Sequence, residues 1–156
     1  MKATPHENLV QARLHEASHL LVLNATLGPG VASALKICDV QSSLDGYLRV
    51  RPSGHPFLGA IAFLAGYACD ERLGCIPSNL VDPRSDYHAA LLLLGNDSEL
   101  LDEALGIARE LIDDLWPSIL DVAKFIESEG DVLGESQIGE IEDGVVAAAI
   151  QKLKSD

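Results

Sequence analysis

Leu14-His15-Glu16-Ala17-Ser18-His19-Leu20 reads H-E-x-x-H. Residues four apart on a helix lie on one face, a turn from each other. That spacing aims His15 and His19 at one point, where two imidazoles can bind one zinc ion. Glu16 follows directly, so its carboxylate projects beside the metal and can take a proton from a water instead of ligating. The flanks predict a helix. Leu9, Ala12, Leu20, Leu21 and Leu23 surround the motif with apolar side chains, and no Gly or Pro interrupts between Glu7 and Thr26. Gly28-Pro29-Gly30 then stops the helix.

The chain has 156 residues, enough for one domain with a sizeable core, and we read residues 1–156 as a single unit. Hydrophobic residues at 47% and charged residues at 22% fit a folded globular protein. A formal net charge of -13 without a basic stripe argues against nucleic acid and against anionic membrane surfaces as partners. The three cysteines, Cys38, Cys69 and Cys75, have no zinc-finger spacing and read as buried thiols in a reducing compartment. The N-terminal residues show no signal-peptide pattern, and the longest apolar run, Phe57 to Cys69, is too short to span a bilayer. The expectation is a cytoplasmic protein. No G-x-x-x-x-G-K-[ST] phosphate loop and no G-x-S-x-G nucleophile elbow occurs in the sequence.

Further along, Val31 to Ile37 alternates partly and predicts a strand, Ser42 to Gly46 reads as a turn, and Tyr47 to Arg51 predicts a second strand stopped by Pro52. A helix from Ser53 or Gly54 to about Leu73 carries small residues for close packing. A loop from Gly74 to Pro83 precedes a helix starting between Arg84 and Asp86. Asp97 or Ser98 caps a long amphipathic helix with Leu101, Leu105, Ala108, Leu111, Ile112 and Leu115 inward. Pro117 is expected to kink it or to begin a new helix, continuing through Ile119, Leu120, Ala123 and Ile126. After Gly134 a last helix turns Ile138, Ile141, Val145, Ala149 and Leu153 inward, with Gly139 and Gly144 weakening it.

Catalytic zinc takes three protein ligands and leaves one position for water or substrate. Spacing leaves three candidates for the third ligand: Glu71, Asp86 and His88. Each has a plain structural alternative: Glu71 as a surface charge beside Arg72, Asp86 as a helix cap, His88 as a half-buried ring. Cys69, beside Asp70 and Glu71, sits in an acidic context that favours the unreactive thiol.

The ordered set of motifs resembles the peptidase domain of the FtsH-type, ATP-dependent zinc metalloproteases. Their H-E-A-G-H corresponds to His15-Glu16-Ala17-Ser18-His19. Their A-G-R-A-A-E-E corresponds to Ala65-Gly66-Tyr67-Ala68-Cys69-Asp70-Glu71. Their S-N-D-hydrophobic-x-x-A stretch corresponds to Arg84-Ser85-Asp86-Tyr87-His88-Ala89-Ala90, with Asp86 at the Asp position. Trp116, Leu133 and Gly134 fit the family's C-terminal pattern. Ser18, Tyr67 and Arg84 depart from it. The resemblance runs from about Val10 to about Ile150 and implies Asp86 as third zinc ligand. It also implies a mainly α-helical, FtsH-peptidase-like domain with a small β-hairpin or sheet between the zinc-motif helix and the second helix. The implied activity is zinc-dependent hydrolysis of unfolded or flexible polypeptides, with Glu16 as the base. The strand Tyr47, Leu48, Arg49, Val50 is expected to hold substrate in an extended form by strand addition. The family's membrane anchor and ATPase module have no counterpart in these residues. A homo-oligomer, a separate ATPase partner and a non-enzymatic binding or regulatory protein on the same fold therefore stay open.

Overall fold

The computed structural model describes residues 5–40, 43–50, 54–74 and 85–155. The predicted loop through Cys75–Pro83 and Arg84 lies outside them, as do Ser42, Arg51, Pro52, Ser53 and the side chains of Cys38, Tyr47 and Val50.

The first helix, α1 (Pro5–Leu27), is buried on nearly every side from Arg13 to Asn24. Such a helix needs an apolar surface all round and a partner for each polar group it carries inside. Leu14, Ala17, Leu20, Leu21, Val22 and Leu23 supply the apolar surface. Ser18 and Asn24 satisfy themselves by donating to the carbonyls of Leu14 (2.7 Å) and Leu20 (3.0 Å), one turn back. The helix ends where Gly28 takes a positive φ of 89° and donates its N–H to the Asn24 carbonyl.

The chain then forms an antiparallel hairpin of β1 (Ala32–Val40) and β2 (Ser43–Val50), registered from Ala32 opposite Val50 to Val40 opposite Ser43. Leu35 and Ile37 point into the core between outward residues, as the period of two requires. The turn expected over Ser42 to Gly46 is corrected: Ser43 to Gly46 belong to β2. Pairing along the whole ladder with β1 outweighs the local turn preference of Ser, Asp and Gly.

Helix α2 (Pro56–Arg72) has Pro at its start and buries Ala60, Ala62, Ala65, Gly66 and Ala68, so it packs close against α1. Helix α3 (Asp86–Leu93) is capped by Ser85, whose hydroxyl accepts the His88 N–H at 3.1 Å. Helix α4 (Ser98–Ser128) is capped by Asp97, which accepts from the N–H groups of Glu99 and Leu100. Its buried stripe runs from Leu101 through Ile112, Leu115, Ile119 and Val122 to Ile126.

Pro117 does not begin a new helix: a single helix runs through it. The proline is exposed, so the carbonyl it leaves unpaired faces solvent, while the buried stripe continues on the opposite side. Leu120 is exposed rather than inward, and Val122 takes the buried place.

At the end of α4, Gly130 and Asp131 both adopt positive φ, and the Asp131 carbonyl accepts the Ile37 N–H at 2.9 Å. This delivers β3 (Val132–Leu133) to the free side of β1, pairing Leu133 with Leu35. The sheet order is β2-β1-β3.

The last predicted helix is three pieces: α5 (Glu135–Ile141), a π turn (Glu142–Val146) and α6 (Ala147–Ser155). The π turn adds a residue to the repeat. Val146 is therefore buried beside the half-buried Val145, and Ala149 and Leu153 pack against the core as expected. The whole is mainly helical with one small antiparallel sheet. Among the described residues no helix is long and apolar enough to cross a membrane.

Arg13 of α1 ties these parts together. Its Nε and Nη2 donate to both oxygens of Asp131 at 2.7 and 3.0 Å, and its Nη1 lies 3.4 Å from Glu127. The fork matches carboxylate geometry, and Arg13 is only 8% exposed, so the pair is shielded from water on one side. Removing one partner of a shielded pair leaves the other charge uncompensated. Asp131→Asn, which tolerates the positive φ, should lower stability by about 2–3 kcal/mol. Urea unfolding would show it as a lower midpoint at unchanged slope. A change below about 0.5 kcal/mol would reduce the pair to an ordinary surface contact.

Candidate metal centre

The middle of α1 places His15 and His19 on one face, with ring centroids 4.8 Å apart and Nε2 atoms 3.1 Å apart. Asp86, the first residue of α3, brings its Oδ2 to 2.9 Å from each Nε2. Helix α2 holds the rings from behind. Asp70 Oδ2 lies 3.0 Å from His15 Nδ1, and the Ala62 carbonyl lies 2.8 Å from His19 Nδ1. Gln11 Nε2 donates to the other Asp70 oxygen at 3.5 Å.

The network decides where the ring protons sit. A carboxylate and a carbonyl can only accept, so each neutral imidazole carries its proton on Nδ1. Both Nε2 atoms then turn lone pairs toward each other and toward a third acceptor, Asp86 Oδ2. Three lone pairs aimed at one point need a positive charge among them, whether extra protons or a cation. Tetrahedral zinc with bonds of ~2.0–2.1 Å separates its ligands by ~3.3 Å. The observed 2.9–3.1 Å triangle is a few tenths tighter, a small adjustment for three side chains. Glu16, 5% exposed, adds a further carboxylate, and one of its oxygens lies within 4.8 Å of a ring nitrogen of His15 and of His19. His15, Glu16 and His19 thus form a group that could hold a metal ion.

The other sequence candidates lie elsewhere. Both Glu71 oxygens accept from Arg109 of α4 at 2.9 and 2.8 Å, which turns that carboxylate toward α4. His88 is two residues, or about 200°, around α3 from Asp86. The cap role weighed for Asp86 belongs to Ser85. Tyr47, Leu48, Arg49 and Val50 stand on β2, opposite Lys36, Leu35, Ala34 and Ala32, at the edge of the sheet. Leu48 is half-buried and Arg49 exposed. Burial pushes the Cys69 thiol up to about 11, which keeps it protonated.

Asp70 as a partner of His15 is not among the residues the sequence singles out for the site. The single signal was chemical: an imidazole that binds a cation through Nε2 commonly donates Nδ1–H to a carboxylate. Nothing in the spacing of α2 says which acid that is.

The electrostatics follow the geometry. Burial opposes a charge on His15 most strongly, but hydrogen bonds to Asp70 and Asp86, with their charges, outweigh it and hold the ring well above its usual range. Burial likewise opposes a charge on His19. The charge and hydrogen bond of Asp86 raise it in spite of that. Burial by itself would raise Asp86, but His19 and the hydrogen bonds from both rings hold it well below the usual carboxylate range.

In comparisons with known proteins, no family model and no curated protein matches the chain.

The pH dependence of stability has a definite sign. Imidazoles whose folded pKa is raised contribute stability fully present below the unfolded value of 6.5 and lost as pH climbs through the raised values. Asp86, held low, contributes above 3.8 and loses that contribution as pH falls through its depressed value. With a chelator present, the melting temperature should therefore fall as pH rises above 6.5. With a divalent transition metal present, the gain conferred by the ion should grow over the same interval, because protons and metal compete for the same nitrogens. Parallel thermal scans at several pH values check both slopes. A metal-induced gain that shrinks with rising pH would show that these nitrogens are not the ligands.

Proposed function

We propose that this chain is a zinc metallopeptidase domain of the FtsH type, cleaving peptide bonds in unfolded or flexible polypeptides. The observation that carries the reading is the meeting of His15 Nε2, His19 Nε2 and Asp86 Oδ2 within 2.9–3.1 Å, with Glu16 buried beside them. His15, His19 and Asp86 are the three zinc ligands in this reading. The ordered motifs of α1, α2 and α3 support it, as does the commitment of Glu71 to Arg109.

When bound, zinc supplies Lewis acidity that polarises a carbonyl and lowers the pKa of a water toward ~7. Glu16 accepts the proton of the water that attacks the scissile carbonyl carbon, and returns it to the nitrogen as the C–N bond breaks. Asp70 and the Ala62 carbonyl keep the two rings in the tautomer that offers Nε2. The outer edge of β2, along Tyr47 to Val50, pairs with an extended substrate by strand addition.

Asp86→Ala should lose zinc, and Glu71→Ala should keep it, when metal content is measured on each purified variant. Glu16→Gln should keep zinc and fold but lose hydrolysis by about 10²–10⁴-fold, since the amide cannot act as a base. Full zinc in Asp86→Ala would remove the third ligand. Equal rates in wild type and Glu16→Gln would remove the base and leave a structural ion.

Substrate folding state gives an independent check. Opening a stable domain costs about 5–15 kcal/mol, and an unstructured chain needs almost none of it. No nucleotide-binding loop occurs in these residues. An intrinsically unstructured protein should be cut at the same rate with or without ATP, and a stable globular one hardly at all. ATP-stimulated cleavage of the globular substrate by the purified chain would contradict the reading.

A further inference from the structure

Ala62, Gly66 and Asp70 stand four apart on one ridge of α2. The outer two hold the imidazoles, Ala62 by its carbonyl to His19 and Asp70 by its carboxylate to His15. The residue between them has no side chain. A Cβ on Gly66 would stand 2.4 Å from His19 Nε2 and 2.5 Å from both Nε2 and Cε1 of His15. Those separations are far inside van der Waals contact, which for carbon begins at roughly 3.5 Å. Neither ring can retreat alone, since each is fixed through Nδ1 and retreat would break a hydrogen bond to Asp70 or to Ala62.

Helix propensity gives no reason for this glycine, because Ala is the better residue in a helix interior. Gly59, seven residues earlier on the same side of α2, offers a comparison. Among the described residues, a Cβ there would meet Leu93 Cδ1, at 3.4 Å.

We propose that Gly66 is the positioning residue of the metal centre: its missing side chain is what lets His15 and His19 converge tightly enough to share an ion. The ion in that statement rests on the zinc reading above. The steric part rests on the described side chains alone. Substituting Gly66 spreads the imidazoles while leaving α2 helical, so it removes the ion before it removes the fold.

The test is a cycle of Gly66→Ala in two backgrounds, wild type and the His15→Ala/His19→Ala double variant, with Gly59→Ala as comparison. Zinc affinity is measured by competition with a chromophoric chelator, and melting temperature is measured in excess chelator. Gly66→Ala should weaken zinc binding by at least about tenfold, as loss of a ring-orienting contact does, with the far-ultraviolet circular dichroism unchanged. In chelator it should lower the melting temperature in the wild-type background, and raise it or leave it unchanged once both imidazoles are gone. Gly59→Ala should bind zinc as wild type does. Wild-type zinc affinity in Gly66→Ala would overturn the proposal. So would an equal loss of melting temperature in both backgrounds, which would make Gly66 a site of ordinary helix packing. If the unsubstituted chain binds no zinc, the metal reading fails by that result, and the two melting temperatures still decide whether Gly66 is there for the imidazoles.

Discussion

Three acceptor atoms within 2.9–3.1 Å of one another repel unless a positive charge lies among them. The surrounding structure is arranged to hold them there. Two come from successive turns of α1 and the third from the start of α3. Helix α2 lies against both and holds each ring through its far nitrogen. The separations tolerate little change, because an imidazole that rotates by a few tens of degrees turns its lone pair away from the shared point. This explains why the region is built from helix interiors and capped helix ends. Rigid elements fix side-chain directions that a loop would leave free.

The same constraint accounts for the burial of α1. A helix carrying Arg13, Glu16, Ser18, His19 and Asn24 inside a core is expensive unless each polar group is met. Ser18 and Asn24 are met within the helix, His19 by α2, and Arg13 by Asp131 and Glu127. Arg13 therefore fixes α1 against the end of α4, where the chain turns into β3, and Ile37 of the central strand bonds to the same residue's carbonyl. Sheet, long helix and motif helix share one junction.

Much of this was legible in the sequence where a signal is local. The motif spacing, the glycine stop at Gly28, the Asp97 cap and the apolar stripe of α4 all follow from interactions within a few residues. What was illegible depends on distant parts of the chain. Ser43 to Gly46 look like a turn until β1 is present to pair with them. Val132 and Leu133 are too short a strand to read without β1 beside them. Pro117 reads as a break unless one knows that its side of the helix faces solvent. The π turn at Glu142–Val146 adds Val146 to the buried side beside Val145, an extra inward residue that a fixed 3.6-residue period cannot express. At the site, spacing left Glu71, Asp86 and His88 equal as candidates. The distinction between Glu71 and Asp86 lies in what else is within reach: Glu71 meets Arg109, while Ser85 takes over the cap and leaves the Asp86 carboxylate to the imidazoles.

Charge compensation carries the argument a step further. Glu16, Asp70 and Asp86 bring three carboxylates around two imidazoles, and Glu16 and Asp70 are 5% and 7% exposed. The chain as a whole is strongly acidic, at -13, so no general positive field offsets them. The nearest arginines of α1, α2 and α4 are committed to other acids. Arg13 pairs with Asp131, Arg109 with Glu71, and Arg72 with Asp113 while its guanidinium stacks on Trp116 at 4.5 Å. Each of these three guanidinium groups is engaged by a carboxylate outside the cluster, while within it the two imidazoles face Asp70 and Asp86. The start of α3 contributes in the same sense, since the positive end of a helix favours the charge on Asp86. An H-E-x-x-H motif on a solvent-facing helix would have water to neutralise its charges and no need of an ion. Here burial withdraws the water, and Arg13, Arg72 and Arg109 are engaged by other acids. His15, Glu16 and His19 are thus a buried group that could hold a metal ion, with Asp86 facing both imidazoles.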